Sequence, residues 1–190
     1  MKISGGRADM SGRKILLCVT GSIAAYKAAE LVRLFVKNGD EVRVVMTEAA
    51  TEFVTPLTFQ TLSRNKVDFE TFPEKSEWRP GHIEHAGWAD VAVVAPATAN
   101  TRAKMRCGIA DNLLTSVLLA ARCPIFVAPA MNVGMWENPA TVENIAELRR
   151  RGVRFVEPGE GFLACDACGK GRMAEPAEIF SAVAGKRKAK

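Results

Sequence analysis

Three stretches of this chain, KILLCVTG at 14–21, DVAVVAPATAN at 90–100 and PIFVAPAMN at 124–132, are almost continuously apolar and then break into loops of small residues. A strand with one wet face alternates polar and apolar residues, so such runs demand burial on both faces, as in a parallel sheet covered by helices above and below. Between the first run and EVRVVMT (41–47), the segment SIAAYKAAELVRLFVKNG places Ala24, Ala28, Leu31 and Phe35 on one helical face. Lys27, Glu30, Arg33 and Lys37 fall on the other, with Ser22 near the N-cap and Gly39 as the stop. This is a βαβ unit of ordinary size.

The alternation continues with longer connections. A short helix is expected in VTPLTFQTLS (54–63), a short strand in KVDFETF (66–72) and an apolar helix in DNLLTSVLLAAR (111–122). A further helix has Pro139 near its start and Gly152 just past its end, VRFVEP (153–158) is the last expected strand, and AEIFSAVAG (177–185) is the closing helix. Residues 159–173 hold four glycines and two cysteines without periodicity. The expected fold is α/β: a three-layer Rossmann/flavodoxin-like fold with a mostly parallel sheet. It forms one domain at 14–185, preceded by a polar arm at 1–13 and followed by a basic tail at 186–190.

Function classes narrow next. The length of 190 residues suits one domain with a substantial core. Its net charge of +5 is carried by the ends: residues 186–190 hold four cations and residues 1–14 a net three, leaving the body near −2. A folded cationic face for nucleic acid is therefore not expected. Five cysteines, an odd number spread over apolar and helical segments, suit free thiols in a reducing cytoplasm. The first residues lack an apolar signal segment, and no apolar run is long enough to span a bilayer.

Ligands of such sheets bind beyond the carboxyl ends of the strands. TGSIA (20–24), APATANT (95–101) and APAMN (128–132) sit at three such ends and should converge on one crevice. TGS running into a helix offers backbone N–H groups, a helix-dipole end and the Ser22 hydroxyl, so a phosphate seat and a plain helix cap are both open readings. It matches neither GxGxxG nor the P-loop. In PATANT, small residues permit close backbone approach to a flat heteroaromatic ring, with Thr98 and Asn100 able to bond its polar edge; a tight turn is the alternative. His82 and His85, three apart, can share a helical face, and Cys165 and Cys168 form a lone CxxC. Neither completes a ligand set, so no metal is expected. A histidine and a cysteine from distant segments can still form an acid–base pair over a bound cofactor.

Taken in order, TGSIAAYKAAEL (20–31), VMTEAATEFVTPLTF (45–59), HIEHAGWAD (82–90), APATANT (95–101), GIADNLL (108–114), PAMNVGMW (129–136) and ACDACGKGRMAEP (164–176) resemble the flavin-containing cysteine decarboxylases, specifically the branch serving coenzyme A synthesis. The resemblance implies FMN, held between subunits of a homotrimer or of a dodecamer of four trimers. It implies a phosphate at Gly21, Ser22 and Ile23 with Thr47 nearby, and the flavin ring near Thr98, Ala99, Asn100, Thr101 and Ala130. The implied substrate is 4'-phosphopantothenoyl-L-cysteine, with a phosphopantothenoylcysteine synthetase as a further partner. The implied reaction is flavin oxidation to a thioaldehyde, loss of CO2 and re-reduction to 4'-phosphopantetheine. His82 matches the essential histidine and Cys165 the proton donor. Asn132 matches the carboxylate-binding residue, and Ala164 and Phe162 match backbone contacts to the substrate. The chain departs from the family where ACDA stands for the usual ACGD and where Cys168 is added. Two alternatives stand beside this reading: an oxidative decarboxylase of peptide C-terminal cysteines, and a flavin-binding regulatory relative without catalysis.

Overall fold

A computed structural model describes residues 12–70, 81–162 and 168–185 of the chain. In order, the elements are β1 (Lys14–Val19), α1 (Ala25–Lys37), β2 (Glu41–Met46), α2 (Glu48–Thr51), α3 (Pro56–Ser63), β3 (Val67–Asp68), α4 (Gly81–Trp88), β4 (Val91–Ala97) and α5 (Ala99–Cys107). There follow α6 (Leu113–Ala120), β5 (Ile125–Pro129), α7 (Val133–Glu137), α8 (Pro139–Arg150), β6 (Arg154–Phe155), β7 (Gly159–Phe162), β8 (Cys168–Arg172) and α9 (Pro176–Ala184). Residues 1–11 of the arm and the tail at 186–190 lie outside the described residues.

Strands β1 to β6 form one sheet in the order β3-β2-β1-β4-β5-β6, and every pairing in it is parallel. This is the Rossmann order, and it switches direction between β1 and β4. Alternate β1 residues serve opposite faces. Ile15, Leu17 and Val19 pack with α1, α3 and α9 through Leu31, Phe35, Phe59, Ile179 and Val183, whereas Leu16 and Cys18 pack with α4 and α6 through Ala86, Leu113, Leu114 and Val117. All five of these β1 residues are fully buried, which is why the strand has no polar alternation.

Local chemistry sets the helix ends. Asn112 accepts from the Thr115 N–H at 2.9 Å while its own N–H donates to the Thr115 hydroxyl, a capping box that starts α6. Pro139 occupies the first turn of α8 after Asn138, whose side chain accepts from the Ala140 N–H.

Three expectations need correction. Ser22 does not cap α1: the helix begins at Ala25 after Ala24, and the Ser22 hydroxyl accepts from the Ala24 N–H within the preceding turn. Lys27 does not face solvent. It is 6% exposed, and its ammonium donates to Glu175 at 2.9 Å and to the Met173 carbonyl at 3.3 Å. Its spacing of four and eight residues from Leu31 and Phe35 puts it on the apolar face, where Glu175 of the closing segment compensates its charge. Finally, VRFVEP is not the last strand, because β7 and β8 form an antiparallel hairpin after it.

The edge strand is clamped to α4 by a pair that the chain pattern did not announce. His85, 5% exposed, donates from Nε2 to Asp68 at 3.0 Å, and Lys66 reaches the other carboxylate oxygen at 3.1 Å. The His85 hydrogen bond holds Asp68 below the usual carboxylate range against the opposing effect of burial, with Lys66 assisting. A carboxyl with a depressed folded-state pKa adds stability above its unfolded value of about 3.9 and gives it up as pH falls through the folded value. Wild-type protein should therefore exceed Asp68→Asn in urea midpoint at pH 7, with the gap closing as pH drops below about 4. A gap that persists unchanged at pH 3 contradicts this.

Candidate functional site

The carboxyl ends of β1, β4 and β5 are stitched into one surface. Thr20, 1% exposed at the end of β1, donates to the Pro96 carbonyl at 2.7 Å and accepts from the Thr98 N–H at 3.1 Å, which fixes the TGS loop against PATANT. The Thr47 N–H donates to the Val19 carbonyl at 3.0 Å, and the Ala130 N–H donates to the Ala97 carbonyl at 3.3 Å. The Met131 N–H in turn donates to the Gly171 carbonyl at 3.0 Å, bringing the β7–β8 hairpin against PAMN. These loops thus meet at the switch between β1 and β4, the place where open parallel sheets generally bind their ligands.

Two features fit an anionic group there. A Cβ on Gly21 would lie 2.6 Å from the Ala49 Cβ and 3.0 Å from the Ala49 backbone, so only glycine lets this loop close onto α2. Thr47 precedes α2 with a hydroxyl that is buried and has no hydrogen-bond partner. Buried polar atoms are nearly always paired, so this donor fits a phosphate oxygen. Ser22, half-buried, keeps its O–H to donate while its oxygen accepts from Ala24.

On the second loop, Thr98 caps α5: its hydroxyl accepts from the Thr101 N–H at 3.2 Å and donates to the Thr101 hydroxyl at 3.1 Å. Thr101 is buried in this cap, whereas Asn100 is exposed on the first turn and Ala99 is half-buried. Ala130, 6% exposed, follows β5 and is tied by its N–H to the end of β4. Asn132 is the exposed N-cap of α7, its side-chain oxygen accepting from the Gly134 N–H at 2.8 Å. His82 is half-buried on the first turn of α4, the end nearer the strand carboxyl termini, while His85 points into the Asp68 pair.

The hairpin depends on glycine. Gly171 has φ +149, and a Cβ there would meet the Met131 carbonyl oxygen at 2.3 Å, so this strand approaches PAMN only without a side chain. Phe162 and Cys168 pair across the hairpin through their backbones. Ala164 and Cys165 lie in the intervening residues 163–167, outside those described. Among the described residues, no three His, Cys, Asp or Glu side chains gather as a metal-ligand set, and no helix is long and apolar enough to cross a membrane.

The structure adds Arg102 to the neighbourhood. It is 1% exposed on the first turn of α5, and it joins the two loops by donating to the Thr98 carbonyl at 3.4 Å and the Met131 sulfur at 2.9 Å. A basic residue in a helix reads as a solvent-facing one, and its thioether partner lies 29 residues away, so no local signal marks it.

A parallel sheet in the Rossmann order, with a glycine loop after β1 and a partnerless buried hydroxyl after β2, defines an α/β protein of the class whose members bind mononucleotides at the sheet's switch point. The chain belongs to the flavoprotein family, whose pattern matches residues 4–188. It is 51% identical over 170 residues to the coenzyme A biosynthesis bifunctional protein CoaBC of Bacillus subtilis, covering 90% of this chain and 42% of that protein. The chain thus spans less than half of the bifunctional relatives. It is 47% identical to a probable phosphopantothenoylcysteine decarboxylase of Streptococcus mutans, covering 86% of this chain and 92% of that one. Among solved structures, a cysteine-to-serine variant of PPC decarboxylase complexed with pantothenoylaminoethenethiol superposes with a TM-score of 0.81 at 36% identity, over 90% of this chain and 96% of that one. The FMN-dependent cysteine decarboxylase SpaF superposes with a TM-score of 0.77 at 31% identity, over 91% and 98% of the two chains.

Proposed function

We propose that this protein is an FMN-dependent phosphopantothenoylcysteine decarboxylase, acting in coenzyme A synthesis. The observation that carries the reading is the partnerless buried hydroxyl of Thr47 after β2, near the Gly21 loop, a donor suited to a phosphate oxygen. Near-full-length similarity to a probable decarboxylase of this kind supports the substrate. FMN supplies a hydride acceptor and donor, which lets the substrate's CH2–S carbon be oxidised before its carboxylate departs and reduced afterwards.

The chain's own residues do the rest. Gly21, Ser22 and Ile23 present backbone and hydroxyl donors to the cofactor phosphate, with Thr47 adding its O–H. Thr98, Ala99, Asn100, Thr101 and Ala130 border the ring. Asn132 holds the substrate carboxylate through neutral donors, which grip it while leaving its negative charge free to pass to the rest of the substrate as neutral CO2 departs. His82 orients the substrate thiol and takes its proton during oxidation. Cys165 returns a proton to carbon after decarboxylation, while Phe162 and Ala164 hold the substrate through their backbones and keep out water. Exposed Ile23, Tyr26, Phe53 and Leu57 lie on segments leaving the cradle and support a homotrimer, or a dodecamer of four trimers, in which a neighbouring copy completes the site. The thiols of Cys18, Cys107 and Cys123 are free, which supports a reducing, cytoplasmic setting with a phosphopantothenoylcysteine synthetase supplying substrate.

Product mass tests the assignment. FMN-loaded protein given 4'-phosphopantothenoyl-L-cysteine should yield the saturated thiol, phosphopantetheine. An enethiol two hydrogens lighter, or conversion only of a peptide's C-terminal cysteine, transfers the chain to the peptide-modifying branch.

Thr47→Val separates the phosphate reading from a structural one. A hydrogen bond to a charged group contributes about 1.5–3 kcal/mol, so FMN should bind roughly tenfold to a hundredfold more weakly. The apoprotein should be as stable as wild type or more so, because the buried hydroxyl has no partner to lose. Titration with FMN and urea unfolding of the apoprotein check both halves.

A further inference from the structure

Among the described residues, Arg102 is a buried cation without a counter-charge. Its guanidinium has three neutral neighbours: the Thr98 carbonyl at 3.4 Å, the Met131 sulfur at 2.9 Å and the face of Trp136, with 5.8 Å from the guanidinium carbon to the ring centroid. Nη1 is buried and has no partner, and no carboxylate among the described residues forms an ion pair with it. Burial depresses its pKa to about 10, so it remains charged at neutral pH. An uncompensated charge in a water-excluded setting is costly to keep, and its field is little screened.

Its position is specific. Thr98 begins the loop proposed to border the flavin ring, and Met131 lies between Ala130, on the same border, and Asn132, proposed for the substrate carboxylate. The N-terminus of α5 contributes a partial positive charge at the same place. A fixed positive field stabilises whichever neighbouring species gains negative charge. We propose that Arg102 tunes the reduction potential of the bound flavin, acting through space from behind the Thr98 and Met131 loops to favour the reduced, anionic ring over the neutral oxidised one. The inference rests on the FMN reading above and makes Arg102 a tuning residue that touches neither flavin nor substrate. It also makes substrate oxidation, the step that loads electrons onto the ring, the beneficiary.

The test is an anaerobic midpoint titration of FMN-loaded wild type, Arg102→Leu, Arg102→Gln and Arg102→Lys, with urea midpoints measured in parallel. Gln retains a donor for the Thr98 carbonyl or the Met131 sulfur without the charge, so it carries the comparison if Leu fails to fold. Both neutral variants should shift the oxidised–reduced equilibrium about tenfold toward oxidised flavin, a fall of about 30 mV for a two-electron couple. Lys should stay within about threefold of wild type. Neutral variants that fold and match the wild-type potential overturn the inference while leaving the FMN reading intact. So does a Lys variant displaced as far as Gln, because the effect is then one of shape. Wild-type protein that takes up no FMN overturns the FMN reading and this inference together.

Discussion

Cys165→Ser is expected to cut formation of the saturated thiol by at least about a hundredfold while leaving carbon dioxide release measurable, because a serine hydroxyl is a far weaker acid than a thiol. General acids in positioned sites contribute roughly 10²–10⁴ in rate, and the loss should fall on the final protonation alone. Mass spectrometry should then find a product two hydrogens lighter than phosphopantetheine. Cys168→Ser separates the two thiols of the CxxC: if Cys165 is the acid, this variant keeps the saturated product. Loss of the saturated thiol in Cys168→Ser, with Cys165→Ser unaffected, would move the role to the second cysteine.

The second large effect is expected at the cradle. Gly21→Ala sets a methyl group 2.6 Å from the Ala49 Cβ, and the flanking residues cannot yield freely because Thr20 is tied to both Pro96 and Thr98. Overpacking of this kind costs about 1–3 kcal/mol. Where the strain is relieved by opening the loop, the phosphate donors separate, and FMN should bind roughly tenfold to a hundredfold more weakly. Fluorescence titration of FMN measures this directly, with circular dichroism of the apoprotein checking that the fold survives. Unchanged FMN affinity in a folded Gly21→Ala variant would move the phosphate away from this turn.

The core and the crevice were legible from the chain because both depend on local patterns that the sheet then brings together. KILLCV is apolar at nearly every position because helices cover both faces, and TGS, PATANT and PAMN meet because they follow strands that are neighbours in the sheet. What stayed hidden depends on distant partners. Lys27 reads by residue type as a wet-face residue although its phase with Leu31 and Phe35 puts it inside, and Glu175, 148 residues away, makes that position tolerable. Arg102 is likewise intelligible only through Met131. The β7–β8 hairpin gave no alternation to read because Gly159, Gly161, Gly169 and Gly171 occupy it; its register comes from backbone pairing and from contact with Met131. The His85–Asp68 clamp escaped because neither residue has a patterned neighbour that announces a pair.

The most direct test of the account is the release of labelled carbon dioxide from 4'-phosphopantothenoyl-L-cysteine carrying the label in its cysteine carboxylate, followed for the same protein with and without FMN. The account predicts stoichiometric release from the FMN-loaded protein and none from the apoprotein. Release that is independent of FMN, or a fully loaded protein that leaves the carboxylate in place, would contradict it.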